Sequence, residues 1–137
     1  AIQEVNGEEE AYEVIEKELG IKPVKLGYIP PGMVFSGLSL VKGEAVVEFE
    51  YKGAMLYLSC LNNKRETSVN FKSDAQIYQE IYNKWFGKDI ALRREITESG
   101  TIKFEAYFTD QDIVCGLIGE LPEEEFINIL ENLNRFE

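Results

Sequence analysis

Glu44-Ala45-Val46-Val47-Glu48-Phe49-Glu50-Tyr51-Lys52-Gly53-Ala54-Met55-Leu56-Tyr57-Leu58-Ser59-Cys60-Leu61 is the stretch whose reading decides the fold. Val47, Phe49 and Tyr51 alternate with Glu48 and Glu50, the two-residue period of a strand with one buried and one wet face. Lys52-Gly53 interrupts that period and a second β-rich run resumes at Ala54, so the stretch predicts a hairpin. The same signal at Lys42-Gly43 joins it to Met33–Val41. Three antiparallel strands in a meander follow.

Further along, Ile90, Leu92, Arg94 and Ile96 alternate as far as Glu98-Ser99-Gly100. Ile102, Phe104, Ala106 and Phe108 alternate as far as Thr109-Asp110-Gln111-Asp112, and Ile113 to Ile118 run apolar. These are three more strands with tight turns. Residues 75–86 satisfy two periods at once. Ile77, Tyr78, Ile81, Tyr82 and Trp85 share a helical face behind a Ser73 to Gln76 capping box, yet they are β-branched or aromatic and end at the hairpin signal Gly87-Lys88. Residues 62–74 lose the apolar period and predict a surface loop, in which Lys64-Arg65 is a solvated turn rather than a phosphate patch.

Before the first meander, Asn6 and Glu9 are spaced as a capping box, and Ala11, Val14, Ile15, Glu18 and Leu19 follow helical spacing up to Gly20. The acidic Glu8-Glu9-Glu10 suits the positive end of that helix. The prolines between Lys22-Pro23 and Pro30-Pro31-Gly32 enforce an extended segment. Near the other end, Pro122 occupies a favoured first helical position, followed by Glu123, Glu124 and Glu125, with Phe126, Ile129, Leu130 and Leu133 facing inward. The expectation is a single α+β domain over residues 1–137. It has an antiparallel sheet of six or seven strands, in a meander, with an N-terminal and a C-terminal helix packed on one face.

Composition narrows function. The chain has 137 residues, 14 Lys plus Arg against 25 Asp plus Glu, a net charge of −11 and no histidine. A field of that sign repels phosphate backbones and anionic headgroups, so no nucleic-acid partner is expected. Without histidine, Ser-His and Cys-His nucleophile pairs and His-ligated metals are excluded. Seven Tyr and eight Phe among 45% apolar residues suffice for one core.

Each remaining constellation has a plain structural explanation. Asp110-Gln111-Asp112 opens like a calcium loop but lacks the glycine and the terminal glutamate at the required offsets, so a β-turn accounts for it. A hydrolase would need a carboxylate among apolar neighbours to raise its pKa. Glu105 lies on the opposite parity from Phe104 and Phe108 and is expected to face solvent. Neither a GxxxxGK[ST] loop nor a GxGxxG fingerprint occurs. Tyr78, Tyr82, Trp85 and Phe86 could line a ligand groove, although regularly spaced aromatics are more often core. Cys60 and Cys115 each sit among apolar residues as small buried hydrophobes; their number allows a disulfide and nothing requires one. No catalytic, cofactor-binding or metal-ligating residue is expected.

Four segments together carry a resemblance: Leu26-Gly27-Tyr28-Ile29-Pro30-Pro31-Gly32-Met33, Phe49-Glu50-Tyr51-Lys52-Gly53, Ile81-Tyr82-Asn83-Lys84-Trp85-Phe86, and Gly116-Leu117-Ile118 followed by Pro122-Glu123-Glu124-Glu125-Phe126. Through them nearly the whole chain resembles a family of small extracytoplasmic domains of unknown function in Gram-positive (Firmicutes) bacteria. Such domains often follow a membrane helix in anti-sigma-factor-like and other membrane-tethered proteins. The resemblance implies that residues 82–86 form a strand entering a hairpin at Gly87, so strand is taken over helix there. It also implies an exported portion of a membrane-anchored chain that begins, as here, without methionine. No run approaches the ~18 apolar residues of a membrane span, so membrane attachment is expected only through a segment outside these residues.

The function expected is a noncatalytic extracytoplasmic sensing or interaction module for a protein or envelope ligand. One alternative is a carrier enclosing an apolar ligand between sheet and helix, which a cavity lined by Tyr and Phe would reveal. The other is a carboxylate-dependent hydrolase.

Overall fold

The structure, a computed structural model, describes residues 1–63 and 75–137. In chain order its elements are β1 (Ile2–Gln3), α1 (Glu8–Leu19), β2 (Val24–Lys25), β3 (Met33–Val41), β4 (Glu44–Tyr51), β5 (Ala54–Asn62), β6 (Gln76–Asn83), β7 (Lys88–Ile96), β8 (Ile102–Asp110), β9 (Ile113–Gly119), α2 (Glu123–Glu131) and β10 (Asn134–Arg135). Eight strands form one antiparallel sheet in the order β1-β3-β4-β5-β9-β8-β7-β6, and β2 pairs with β10 in a separate ribbon. The α+β expectation stands, with one strand more in the main sheet than the pattern predicts. The extra strand, β1, and both ribbon strands are two residues long. No period can be read from so few residues, and only their partners, such as Ser39 for Ile2, make them strands.

A single meander is not what the chain builds. β3-β4-β5 is one meander and β6-β7-β8-β9 is another, and their last strands meet in the middle of the sheet, where Leu58 pairs with Leu117 and Cys60 with Cys115. Alternation then does what its period requires. Val47, Leu58, Leu117, Ala106 and Leu92 are successive partners across five strands, and all are buried on the face covered by the helices. α1 lies over β3 and β4, whereas α2 lies over β6 and β8, so each helix serves one meander. Phe126 of α2 packs on Phe104 of β8 with ring centroids 5.5 Å apart.

The space between helices and sheet is occupied by side chains, including Ile15, Phe49, Leu56, Ile90, Phe126 and Ile129. The apolar enclosure that a carrier would need is therefore a packed core at these positions.

Helix starts depart from expectation. α1 is capped by Gly7 rather than Asn6, without a side-chain cap bond, and the Asn6 amide donates to Glu10 instead (3.2 Å). α2 places Pro122 at the N-cap, one position earlier than expected. The inward residues of α2 are as expected. In α1, Tyr12 joins Ala11, Ile15 and Leu19 in the core, Val14 is only half-buried and Glu18 is exposed. Tyr12 can be buried because its hydroxyl donates to Glu8 (2.6 Å) and accepts from the Leu26 N–H (3.2 Å). Residues 76–83 form strand β6, so strand rather than helix holds there, but the strand stops at Asn83: residues 84–86, taken as strand above, belong to the turn that Gly87 closes. A register shift between Ile77 and Gln79 lets Tyr78 reach over to α2, where its hydroxyl donates to Glu123 (3.2 Å). Of the surface loop predicted over residues 62–74, Asn62 instead ends strand β5 and is buried, its amide donating to the Leu19 carbonyl (2.7 Å); residues 64–74, with the Lys64-Arg65 pair and the Ser73 cap, lie outside the described residues.

Candidate functional site

One end of the second meander carries two turns of different construction. Between β8 and β9 the chain reverses through Gln111 and Asp112 alone, and Gln111 takes the left-handed φ of 52°. Between β6 and β7 it uses four residues, Lys84-Trp85-Phe86-Gly87, closed by Gly87 at φ 66°. That longer turn is anchored by one buried side chain. The Asn83 carboxamide oxygen accepts the Phe86 N–H (2.9 Å), while its nitrogen donates to the carbonyls of Leu130 (2.8 Å) and Leu133 (3.0 Å) at the end of α2. The Gly87 N–H completes the turn on the Asn83 carbonyl (2.8 Å). A fully buried amide with these partners is satisfied, and it orders the turn against the helix.

On this frame Phe86 points inward against Phe108, with ring centroids 5.2 Å apart, and Trp85 is left 63% exposed. Both residues line an open cleft of about 930 Å³ that continues to the end of α1 and the β2–β10 ribbon. Arg135 lines it too, and its guanidinium is pinned. Arg135 donates from Nη1 to Asp110 (3.2 Å), from Nη2 to Asp112 (2.9 Å) and from Nε to the Lys22 carbonyl (2.8 Å). Lys88 pairs with the other Asp110 oxygen (3.5 Å), and Lys22 pairs with Glu16 (2.9 Å). Charge-assisted bonds that share one guanidinium hold the β8–β9 turn, the ribbon and the strand edge as a unit. Asp110-Gln111-Asp112 is thus the expected turn, and each of its carboxylates gives one oxygen to Arg135. Among the described residues no group of three or more Cys, Asp or Glu is arranged to hold a metal ion.

Of the four aromatics expected to be core, only Phe86 packs there. Trp85 and Tyr82 are largely exposed, Tyr78 is at the surface with Arg94 stacked 3.9 Å from its ring centroid, and Phe86 alone packs inward. Their spacing is regular, but the turn at Gly87 and the register shift after Ile77 take them off any single face.

Glu105 also corrects expectation. It is on the face away from the helices, as its parity predicts, yet only 4% exposed. Lys103 pairs with it at 3.3 Å and the Tyr107 hydroxyl donates to it at 2.9 Å. The Tyr107 ring also lies across Gly116. A Cβ there would meet the ring at 3.0 Å and the Ser59 hydroxyl at 2.7 Å.

Other titratable groups behave as interior groups do. Burial pushes the Cys60 thiol up to about 12 and the fully buried Cys115 thiol well above its ordinary value, so neither is a thiolate nucleophile near neutral pH. Both are free thiols, although they are direct partners across β5 and β9. Burial raises the Glu8 carboxyl against the opposing hydrogen bond from Tyr12 and the charge of Lys25. That carboxyl is bound up with the first turn of α1 and does not line the cleft.

Sequence reading missed Arg135 because its partners are 23 and 25 residues away. The polarity of Asp110 and Asp112 in a strand-end turn was the available signal. No curated protein and no solved structure matches the chain. The pattern of the family DUF4367, a domain of unknown function, matches residues 23–133, which include both cleft turns; the chain belongs to that family.

Proposed function

We propose that this domain is a noncatalytic extracytoplasmic module that binds a component of the cell envelope through the cleft beside Trp85. The observation that carries the reading is a large indole left in solvent on a turn ordered by a buried asparagine, lining a cleft together with polar groups that are fixed. An exposed Trp gains nothing for the fold and offers a rigid contact surface at small entropic cost. The Asp110 and Asp112 carboxylates are engaged with Arg135 rather than placed among apolar neighbours, an arrangement for recognition and not for proton transfer. The resemblance of the four quoted segments to membrane-tethered extracytoplasmic domains supports the compartment.

Cosedimentation tests it. The domain is mixed with purified Gram-positive cell walls and, separately, with washed membranes. The expected result is pelleting with one fraction, reduced by about fivefold or more in Trp85→Ala, without release of soluble fragments. A domain that stays in the supernatant with both, or that steadily releases products, overturns the reading.

A further inference from the structure

We infer that the Trp85 cleft takes a neutral saccharide, with the C–H face of a pyranose ring stacked on the indole and its hydroxyls on the Asp112 and Gln111 side. This deepens the proposed function and rests on it.

Charge is the first discriminator. On a chain of net charge −11 the cleft is nearly balanced, with Lys22, Lys25 and Arg135 against Glu16, Asp110, Asp112 and Glu137. Most of these charges already have partners: Lys22 with Glu16, and Arg135 with Asp110 and Asp112. A charged ligand would have to displace those partners, and the charge left behind would be desolvated and unpaired. A neutral ligand leaves them intact.

Polarity is the second. An apolar ligand filling this cleft would strip water from Arg135, Asp110 and Asp112 without replacing its hydrogen bonds. A hydroxylated ring replaces them, because each hydroxyl both donates and accepts. Asp112 engages Arg135 through one carboxylate oxygen and keeps the other as an acceptor among the described residues. Gln111, held at the tip of its turn by a left-handed backbone, adds an amide that can do both.

Shape is the third. The negative face of an indole attracts polarised C–H groups, so a flat ring with axial hydrogens is the matching partner. Trp85 can serve as that platform because Phe86 is locked on Phe108 and the turn on Asn83. The cleft, about 930 Å³ and open to solvent, has room for more than one sugar ring.

The chain contains a single Trp, so its emission reports this cleft directly. The domain is titrated with cellotetraose, chitotetraose and maltotetraose, and with tetragalacturonate as the anionic counterpart. Saturable change in Trp85 emission with at least one neutral sugar, of equal affinity at low and high salt, is expected. Calorimetry should then show at least about tenfold weaker binding in Trp85→Ala and a clear loss in Asp112→Asn, with far-UV circular dichroism unchanged. No response to the three neutral sugars up to about 10 mM, binding that survives Trp85→Ala, or a response confined to tetragalacturonate overturns the saccharide assignment. Envelope retention without sugar binding defeats only this assignment, whereas sugar binding without envelope retention defeats only the proposed function.

Discussion

The turns at Lys52-Gly53 and at Lys84–Gly87 both reverse an antiparallel pair, yet they are built for different ends. The first uses two residues, both at positive φ (49° and 86°), directly after the pair Tyr51↔Ala54, and leaves Tyr51 buried behind it. The second spends two further residues and leaves one of them, Trp85, in solvent. Register would be closed as well by a two-residue turn. A turn longer than its strands require, ordered by a buried side chain and carrying an exposed aromatic, marks the place where the fold serves something other than itself. The short turn stores backbone strain, and the long one displays a side chain.

Substitutions can break or sharpen that contrast. Phe126→Ala should remove the ring that joins α2 to β8 and cost about 3–5 kcal/mol, read as a lower midpoint in urea unfolding, because Phe126 is fully buried against Phe104. The long turn should loosen with it, since Leu130 of α2 and Leu133 just beyond it supply the carbonyls that hold Asn83. Asn83→Ala cuts that link alone. It leaves two helix-end carbonyls and the Phe86 N–H without their partner; about 2–3 kcal/mol should be lost, together with a change in Trp85 emission. An unaltered emission spectrum would mean that the long turn does not depend on its anchor, and the contrast would fail.

Lys52→Asn works on the short turn in the opposite direction. Asn tolerates the left-handed backbone that Lys52 now adopts, so a gain of about 0.5 kcal/mol is expected in thermal or urea unfolding. Trp85→Ala should leave stability within about 0.5 kcal/mol of the parent, because a side chain 63% exposed contributes little to the core. A larger loss would make Trp85 a packing residue and remove the distinction between the turns.

The smallest effect expected concerns pH. The Glu8 carboxyl is raised by burial above its ordinary 4.5, so the folded state favours its protonated form. Stability from this group is therefore fullest below 4.5 and declines as pH rises through the raised value. Glu8→Gln should flatten that part of the curve of melting temperature against pH, leaving the Tyr12 hydroxyl a neutral acceptor in place of the carboxylate.

How much of this could be read in advance differs by element. Strands β3, β4, β5, β7, β8 and β9 were legible to within a residue or two because Val47, Phe49 and Tyr51, or Phe104, Ala106 and Phe108, repeat every second position between turn signals. β6 was ambiguous because aromatic residues satisfy both periods. β1, β2 and β10 could not be read, since two residues have no period. The cleft was half visible: the turn at Asp110-Gln111-Asp112 and the aromatic run ending at Phe86 were singled out, but not their joint placement.

What the sequence determined by itself is the inventory: alternating strands, an acidic exterior, no histidine chemistry and tight turns at fixed places. These depend on neighbours within a few residues, where local geometry and side-chain period are enough. Tertiary structure decided that two meanders meet at β5 and β9, that Arg135 closes on Asp110 and Asp112, that Asn83 rather than a helix holds Trp85 out, and that Glu105 is covered. Each of these is a contact between distant residues, fixed only when the chain closes on itself and every buried polar group must find its partner.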